Sequence, residues 1–218
     1  MVQKKRPRRT RERILETSLS LFNRDGEPYV TTADIANEMN ISPGNLYYHF
    51  RNKDDIIGEL YGAFEAKVAP LLTVPEHRPP DVEDLWLLLH LLFERMREYR
   101  FFYRDLDEIT SRNRRIAARF GDLTRHFEVT ATQLCRGLVA SNAMRATERE
   151  IAALTSNVVL VSTYWMSFQR IGRATIDTTA DEKSARLGEA ALQVLALIAP
   201  FLLGNGRALI EQLGEGYR

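Results

Sequence analysis

Apolar residues in this chain recur at three- and four-residue spacing almost everywhere, and almost no stretch alternates polar and apolar with period two. The longer period belongs to helices that bury one face, so the chain reads as all-α. Tyr29-Val30-Thr31 is the nearest approach to a strand and is too short to pair usefully. The eight prolines and twelve glycines fall mostly between apolar runs, as expected for helices joined by short turns.

The spacing predicts a first helix from about Arg9 to Arg24, with Ile14, Leu15, Ser18, Leu19, Leu21 and Phe22 inward and Asp25-Gly26 as its stop. Two short helices follow, Thr32–Met39 and Pro43–Phe50, and a longer one opens near Lys53. Residues 70–80, PLLTVPEHRPP, form a proline-rich connector. Beyond it the pattern predicts helices over 81–99, 101–111, 113–141, 147–172 and 180–203. Thr147 with Glu150, and Thr179 with Glu182, have the form of capping boxes. The expected layout is a small three-helix head, residues 1–53, on a larger helical body, residues 54–218.

Charge is distributed unevenly. Residues 1–13 carry Lys4, Lys5, Arg6, Arg8, Arg9, Arg11 and Arg13 against Glu12 alone, a net +6 that leaves −5 for the rest of a +1 chain. A basic arm on a mildly acidic body points to a local polyanion contact. The single cysteine, Cys135, excludes an intramolecular disulfide and reads as a small core residue among Leu134, Leu138 and Val139. The charged N-terminus lacks the apolar core of a secretory signal. The apolar stretch Ala190–Leu203 falls short of the roughly 20 residues a bilayer needs. A cytoplasmic protein without a membrane partner is expected.

The most informative segment is 30–50. Thr31 is placed to cap the second helix with Asp34 at its third position, and Ile35, Ala36 and Met39 face inward. Asn40-Ile41-Ser42 is the turn, with asparagine where a left-handed backbone is needed. Ser42 caps the third helix and Pro43 sits in its first turn. Leu46 and Phe50 anchor that helix, leaving Pro43, Gly44, Asn45, Tyr47, Tyr48 and His49 exposed. Gly44 and Pro43 are poor helix formers, but their small size suits a helix tip pressed into a major groove. Asn45 offers an amide to a base edge, and the tyrosines offer hydroxyls and ring faces.

The run Thr31-Thr32-x-x-Ile35-Ala36, then Ile41-Ser42-x-x-x-Leu46-Tyr47-Tyr48-His49-Phe50-x-x-Lys53, resembles the helix-turn-helix signature of TetR-family transcriptional regulators. The resemblance covers about residues 9–60. It implies that Thr32, Tyr48 and Lys53 meet phosphates, that Gly44, Asn45 and Tyr47 approach bases, and that His49 lies at the backbone edge. Thr31, Ser42 and Pro43 belong to the same surface, and Arg8 and Arg9 of the arm are candidates for an adjacent minor groove. The sequence departs from the family at Asn40, where glycine is common, and at Asn45, so base preference does not transfer.

One short recognition helix reads few base pairs, so a homodimer on a palindromic double-stranded operator is expected. Two stripes suit an intersubunit bundle: Ile151, Leu154, Val158, Val161 and Trp165, and Leu187, Ala191, Val194, Leu195, Ile198, Phe201 and Leu202. The resemblance also implies an effector cavity, for a small apolar or aromatic molecule. Its candidate lining is Phe64, Trp86, His90, Phe93, Phe102, Tyr103, Phe127, Tyr164 and Phe168. Helix 81–99 is apolar nearly all round and is expected to be central. The four histidines lack metal-ligand spacing and no phosphate loop or nucleophile elbow is present, so no cofactor is expected. The alternatives are a non-specific architectural DNA-binding protein and an all-helical enzyme.

Overall fold

The computed structural model describes residues 7–171 and 180–214. Among them the chain forms α1 (Pro7–Asp25), α2 (Thr32–Glu38), α3 (Pro43–His49), α4 (Lys53–Val68), α5 (Val82–Glu98), α6 (Arg100–Arg104) and α7 (Leu106–Arg112). They are followed by α8 (Arg114–Ala140), α9 (Glu148–Ile171), α10 (Ala180–Ile198) and α11 (Gly206–Gly214). Single 3-10 turns lie at Glu27–Tyr29, Ala69–Leu71 and Ala199–Phe201. Packing divides the chain into two compact units, Met1–Ala66 with Tyr99–Ala118, and Lys67–Glu98 with Arg119–Arg218. The expected head, 1–53, therefore lies inside a first unit that also takes in residues as far as Ala66 and the later segment holding α6 and α7.

The first unit is built on aromatic and branched aliphatic side chains removed from water. Ile14, Phe22, Ile35, Leu46, Ile56, Ile57, Tyr61, Phe64 and Phe101 are fully buried. Each such side chain contributes about 1.5–3 kcal/mol by leaving water. The rings pack edge to face or tilted, Phe22 to Phe101 at 5.2 Å, Tyr61 to Phe102 at 5.4 Å and Phe64 to Tyr99 at 5.5 Å between centroids. Gly26 ends the first helix with φ 107°, a left-handed conformation open to glycine, and its α-carbon faces the Tyr29 ring so closely that a Cβ would lie 2.9 Å away.

Helix 101–111, expected as one piece, is two. It breaks at Asp105, whose carboxylate accepts the Glu27 backbone N–H at 2.9 Å and the Arg104 guanidinium at 3.0 Å. Those partners hold the residue out of helical register. Arg104 and Arg100 donate to the Asn23 carbonyl, and the Asn23 side chain accepts from the Phe101 N–H at 3.1 Å.

In the second unit α10, rather than α5, is the central helix: it packs on α9, α5 and α11. Ala190, Ala191, Val194, Leu195 and Ile198 are its buried face. Its expected continuation to 203 fails because Pro200 has no N–H for the helix ladder, and the chain tightens into Ala199–Phe201 instead. The next residues pair with the loop after α8, Arg145 N–H to the Phe201 carbonyl at 2.8 Å and Leu203 N–H to the Ala143 carbonyl at 2.9 Å. α11 was not foreseen. The Thr147–Glu150 capping box is formed in both directions; Thr179 lies outside the described residues. Cys135 is buried beside α8 neighbours Leu134 and Leu138, and burial pushes its thiol up to about 11.

The span Glu148–Gln169 of α9 has the length and mean hydropathy, 1.3, of a membrane-crossing helix. One side of it, Ile151, Leu154 and Val158, is buried in the protein, and Thr155, Ser162 and Thr163 interrupt its apolar surface. A core helix explains the composition.

A tight contact fixes the connector before α5. Pro80 is buried against Gly137 of α8, and a Cβ at 137 would fall 2.1 Å from the proline Cγ. Gly137→Ala is expected to cost about 1–3 kcal/mol in urea unfolding through overpacking. Pro80→Ala in the same chain should recover most of the loss.

Candidate nucleic-acid interface

α2 begins with a complete capping box. The Asp34 N–H donates to Thr31 Oγ1 at 3.2 Å, and the Asp34 carboxylate accepts the Thr31 N–H at 2.8 Å. Hydrogen bonds from the Thr31 hydroxyl and backbone hold Asp34 below the usual carboxylate range. Ile35 and Ala36 are fully buried, and the alanine leaves room for the crossing helix. At the turn Asn40 adopts φ 52°, the left-handed conformation assigned to it, and the Ile41 N–H closes onto the Ala36 carbonyl at 3.0 Å. Ser42 caps α3 through the Asn45 N–H at 3.2 Å, and Pro43 fills the position whose N–H has no partner.

Leu46, at 0%, and Phe50 anchor α3, and Tyr47 and Tyr48 between them point out. Pro43, Gly44 and Asn45 are exposed, Tyr47 is half-exposed and Tyr48 almost fully so, at 80%. His49 is half-buried and meets the Tyr48 ring edge-on at 5.1 Å. Thr32 Oγ1 and Tyr47 Oη lie 3.1 Å apart, joining the start of α2 to the exposed side of α3. A Cβ on Gly44 would meet only Ser42 Oγ, at 4.0 Å, so no neighbour inside the protein demands glycine there. Arg11 lies over the Phe50 ring at 4.9 Å and pairs with Glu59, and Arg9 is exposed. The Arg8 side chain lies outside the described residues.

Lys53, expected at a phosphate, is held by the protein in the absence of DNA. Its ammonium is turned inward, donating to Glu27 Oε1 at 2.8 Å, the Glu27 carbonyl at 2.9 Å and the Val30 carbonyl at 3.0 Å. All three donors are used within the protein. The partner that draws it in, Glu27, is fully buried and also binds Arg112 at 2.7 Å, while Arg112 holds Asp54 at 3.0 Å. Burial opposes the Arg112 charge, but Glu27 and Asp54 outweigh it and raise its pKa. Glu27 and Arg112 passed unnoticed in the sequence, because nothing local to Gly26-Glu27-Pro28 reveals partners 26 and 85 residues away. Asp105 reads in sequence as part of a solvated helical turn with Asp107 and Glu108, and is buried.

The nine candidate lining residues divide between the two units. Phe64, Phe102 and Tyr103 belong to the first unit's aromatic core, where burial raises the Tyr103 phenol above its ordinary range. In the second unit Trp86 stacks on His90 at 4.9 Å, and Phe93 and Phe127 are buried. Tyr164 and Phe168 are exposed on α9, at 43% and 64%, instead of lining an interior. A cavity of about 570 Å³ in the second unit is bordered by Asp81, Val82, Leu203, Gly206, Leu209 and Gln212, none of them foreseen. Among the described residues no group of His, Cys, Asp and Glu is placed to hold a metal.

The residues of the expected intersubunit stripes are mostly interior to the chain. Ile151, Leu154, Val158, Ala191, Val194, Leu195, Ile198 and Leu202 are buried inside a single chain, so no second copy is needed to cover them. Val161, Trp165 and Phe201 are half-buried, and the Leu187 side chain lies outside the described residues.

A capped, anchored helix whose tip faces outward, set against a crossing helix with Ile35 and Ala36 buried, defines a helix-turn-helix DNA-binding protein. Residues 14–60 match the family model described as bacterial regulatory proteins, tetR family, and residues 63–210 match that described as bacterial transcriptional repressor. The chain belongs to the TetR family of transcriptional regulators, which are not enzymes. It is similar to a crystal structure of a TetR-family transcriptional regulator from Marinobacter aquaeolei VT8, with 35% identity, TM-score 0.81, and 96% of this chain and 98% of that one covered. It is 29% identical over 68 residues to the HTH-type transcriptional regulator AcrR of Shigella flexneri, covering 31% of this chain and 32% of that protein. Over 53 residues it is 34% identical to the "Probable acrEF/envCD operon repressor" of Escherichia coli (strain K12), 24% of each chain. Similarity to these two curated relatives spans a third of their length or less.

Thr31→Ala removes the hydroxyl half of the capping box and leaves the backbone N–H half in place, and a loss of about 1 kcal/mol is expected by denaturant unfolding. The Asp34 contribution is present above the ordinary carboxylate pKa and disappears as pH falls through the lowered one. The variant should therefore differ from the parent less in acid than at neutral pH.

Proposed function

We propose that this chain is a repressor that works as a homodimer, its two α3 tips reading a palindromic operator until a small effector releases it. The observation that carries the reading is the outward face of α3: a helix fixed by Leu46, Phe50 and the Ser42 cap, presenting Gly44, Asn45, Tyr47 and Tyr48 to solvent. Gly44, Asn45 and Tyr47 approach base edges. Thr32, Ser42, Tyr48 and His49 lie toward the sugar–phosphate backbone, and the arm with Arg8 and Arg9 follows the adjacent groove. Such a protein acts where the chromosome is, in the cytoplasm, as a soluble molecule without a membrane partner.

The dimer face we assign is the outer side of α9. Leu160, Tyr164 and Phe168 follow one another at four-residue spacing and are 55%, 43% and 64% exposed. An unbroken apolar stripe on the outer side of a helix invites a self-complementary contact with a second copy. For the effector, support comes from the inner side of the same helix. Ser162 Oγ, Trp165 Nε1 and Gln169 Oε1 stand at successive turns and are buried without a hydrogen-bond partner. Buried helical hydroxyls elsewhere donate one turn back, as Ser18 does to Ile14 at 2.7 Å and Thr155 to Ile151 at 3.0 Å. Unpaired donors and acceptors of this kind suit a mostly apolar molecule with a few polar atoms.

Selection of bound duplexes from a random pool tests the reading: a two-half-site palindrome is expected, and equal affinity for all sequences at moderate salt would favour a non-specific architectural protein instead. Asn45→Ala should relax preference at one or two positions, with a cost of about 1–3 kcal/mol on the preferred site. Gly44→Ala should leave thermal stability unchanged or slightly raised, since its Cβ has open space, while weakening operator binding. Leu160→Glu with Phe168→Glu should turn the sedimenting species from dimer to monomer and keep the helical circular dichroism.

A further inference from the structure

Glu27 is fully buried, yet its charge is met unevenly. Oε1 accepts both Lys53 at 2.8 Å and Arg112 at 2.7 Å, while Oε2, also buried, has no hydrogen-bond partner. Two cations meet one carboxylate, so either can leave without stripping Glu27 of its last ionic partner. Arg112 suits the permanent role. Its guanidinium has the fork that matches both carboxylate oxygens, and Oε2 is the acceptor such a pair needs. Asp54, 43% exposed and bound to Arg112 at 3.0 Å, holds the guanidinium in place while water screens its own charge. Lys53 suits the movable role: it sits at the first residue of α4, is 22% exposed, and ends in a point charge on a flexible stem.

We infer that Lys53 is a lendable cation. On DNA its ammonium swings from Glu27 to a backbone phosphate, and Arg112 closes onto both oxygens of Glu27, so the buried carboxylate is never left unpaired. The inference rests on the DNA-binding reading and adds a positioning residue to it. Arg112 is the last residue of α7, so any displacement of α7 that withdraws the guanidinium obliges Lys53 to stay with Glu27. Affinity for DNA then falls with no change in α3 itself.

The test is the salt dependence of binding to the selected operator and to a random-sequence duplex. Each lost phosphate contact lowers the slope of log affinity against log salt by about 0.9 per engaged subunit. Lys53→Gln should lower it by that amount, and Arg112→Gln should do the same although Arg112 itself touches no DNA. Glu27→Gln, which removes the carboxylate that holds Lys53 and leaves it two backbone carbonyls, should keep the full slope, and the double variant Glu27→Gln/Arg112→Gln should regain the slope that Arg112→Gln alone loses. Because the double variant has no buried unpaired charge, it separates the exchange from a folding defect, and circular dichroism of each variant checks the head. An unchanged slope in Arg112→Gln, or no recovery in the double variant, overturns the exchange while leaving the DNA-binding reading intact. Absence of salt-dependent binding by the unmodified chain overturns both.

Discussion

A carboxylate taken out of water stays charged only if cations come in with it, and in the first unit that requirement organises the ground around Glu27. The side chain follows the left-handed Gly26 at the end of α1, and its partners arrive from the start of α4 and the end of α7. Its own backbone N–H is taken by Asp105, at the junction of α6 and α7. The start of α4 and both ends of α7 are therefore pinned to Glu27, in the turn that leads into α2. Apolar packing among Phe22, Phe64, Phe101 and Phe102 supplies much of the cohesion, but hydrophobic contact has little directional preference. The ion pairs and the Asp105 hydrogen bond add direction, and with it a defined placement of α2 and α3.

The second unit depends on a different division of labour, made within one helix. The inward side of α9 is occupied by Ile151, Leu154, Thr155 and Val158, and the side carrying Leu160, Tyr164 and Phe168 remains open. Polar atoms without partners occur further along the inward side, at Ser162, Trp165 and Gln169. A helix with two distinct faces can serve the fold of its own chain, association and ligand contact together, provided each task on the shared face is confined to its own set of turns. The length of α9, 24 residues, makes that separation feasible.

The head was legible because its determinants are local. Thr31, Asp34, Ser42, Pro43 and Asn40 each declare a cap or a turn within four residues, and Leu46 and Phe50 declare which side of α3 is buried. The body was less legible because periodicity identifies an apolar face without saying what covers it. Ile151, Val158, Val194 and Ile198 look the same in sequence whether the cover is a second copy or the same chain, and the same chain covers them. Tyr164 and Phe168 looked like cavity walls for the same reason. The inward hold on Lys53 was not legible because its carboxylate partner is 26 residues away, nor was the break at Asp105, whose acceptor role is fixed by a residue 78 positions distant. Long-range polar contacts leave no periodic trace.

The chain has two tryptophans, Trp86 on α5 and Trp165 on α9, and both lie in the second unit with indole N–H groups buried and unpaired. Indole emission shifts with the polarity and hydrogen bonding of its surroundings, so ultraviolet fluorescence of the unmodified protein is a report on the body alone. Events confined to the helix-turn-helix should be optically silent, and a colour change on adding a compound should mean that the compound, or its consequence, has reached the interior around α5 or α9. The protein carries its own dye, and only on one side.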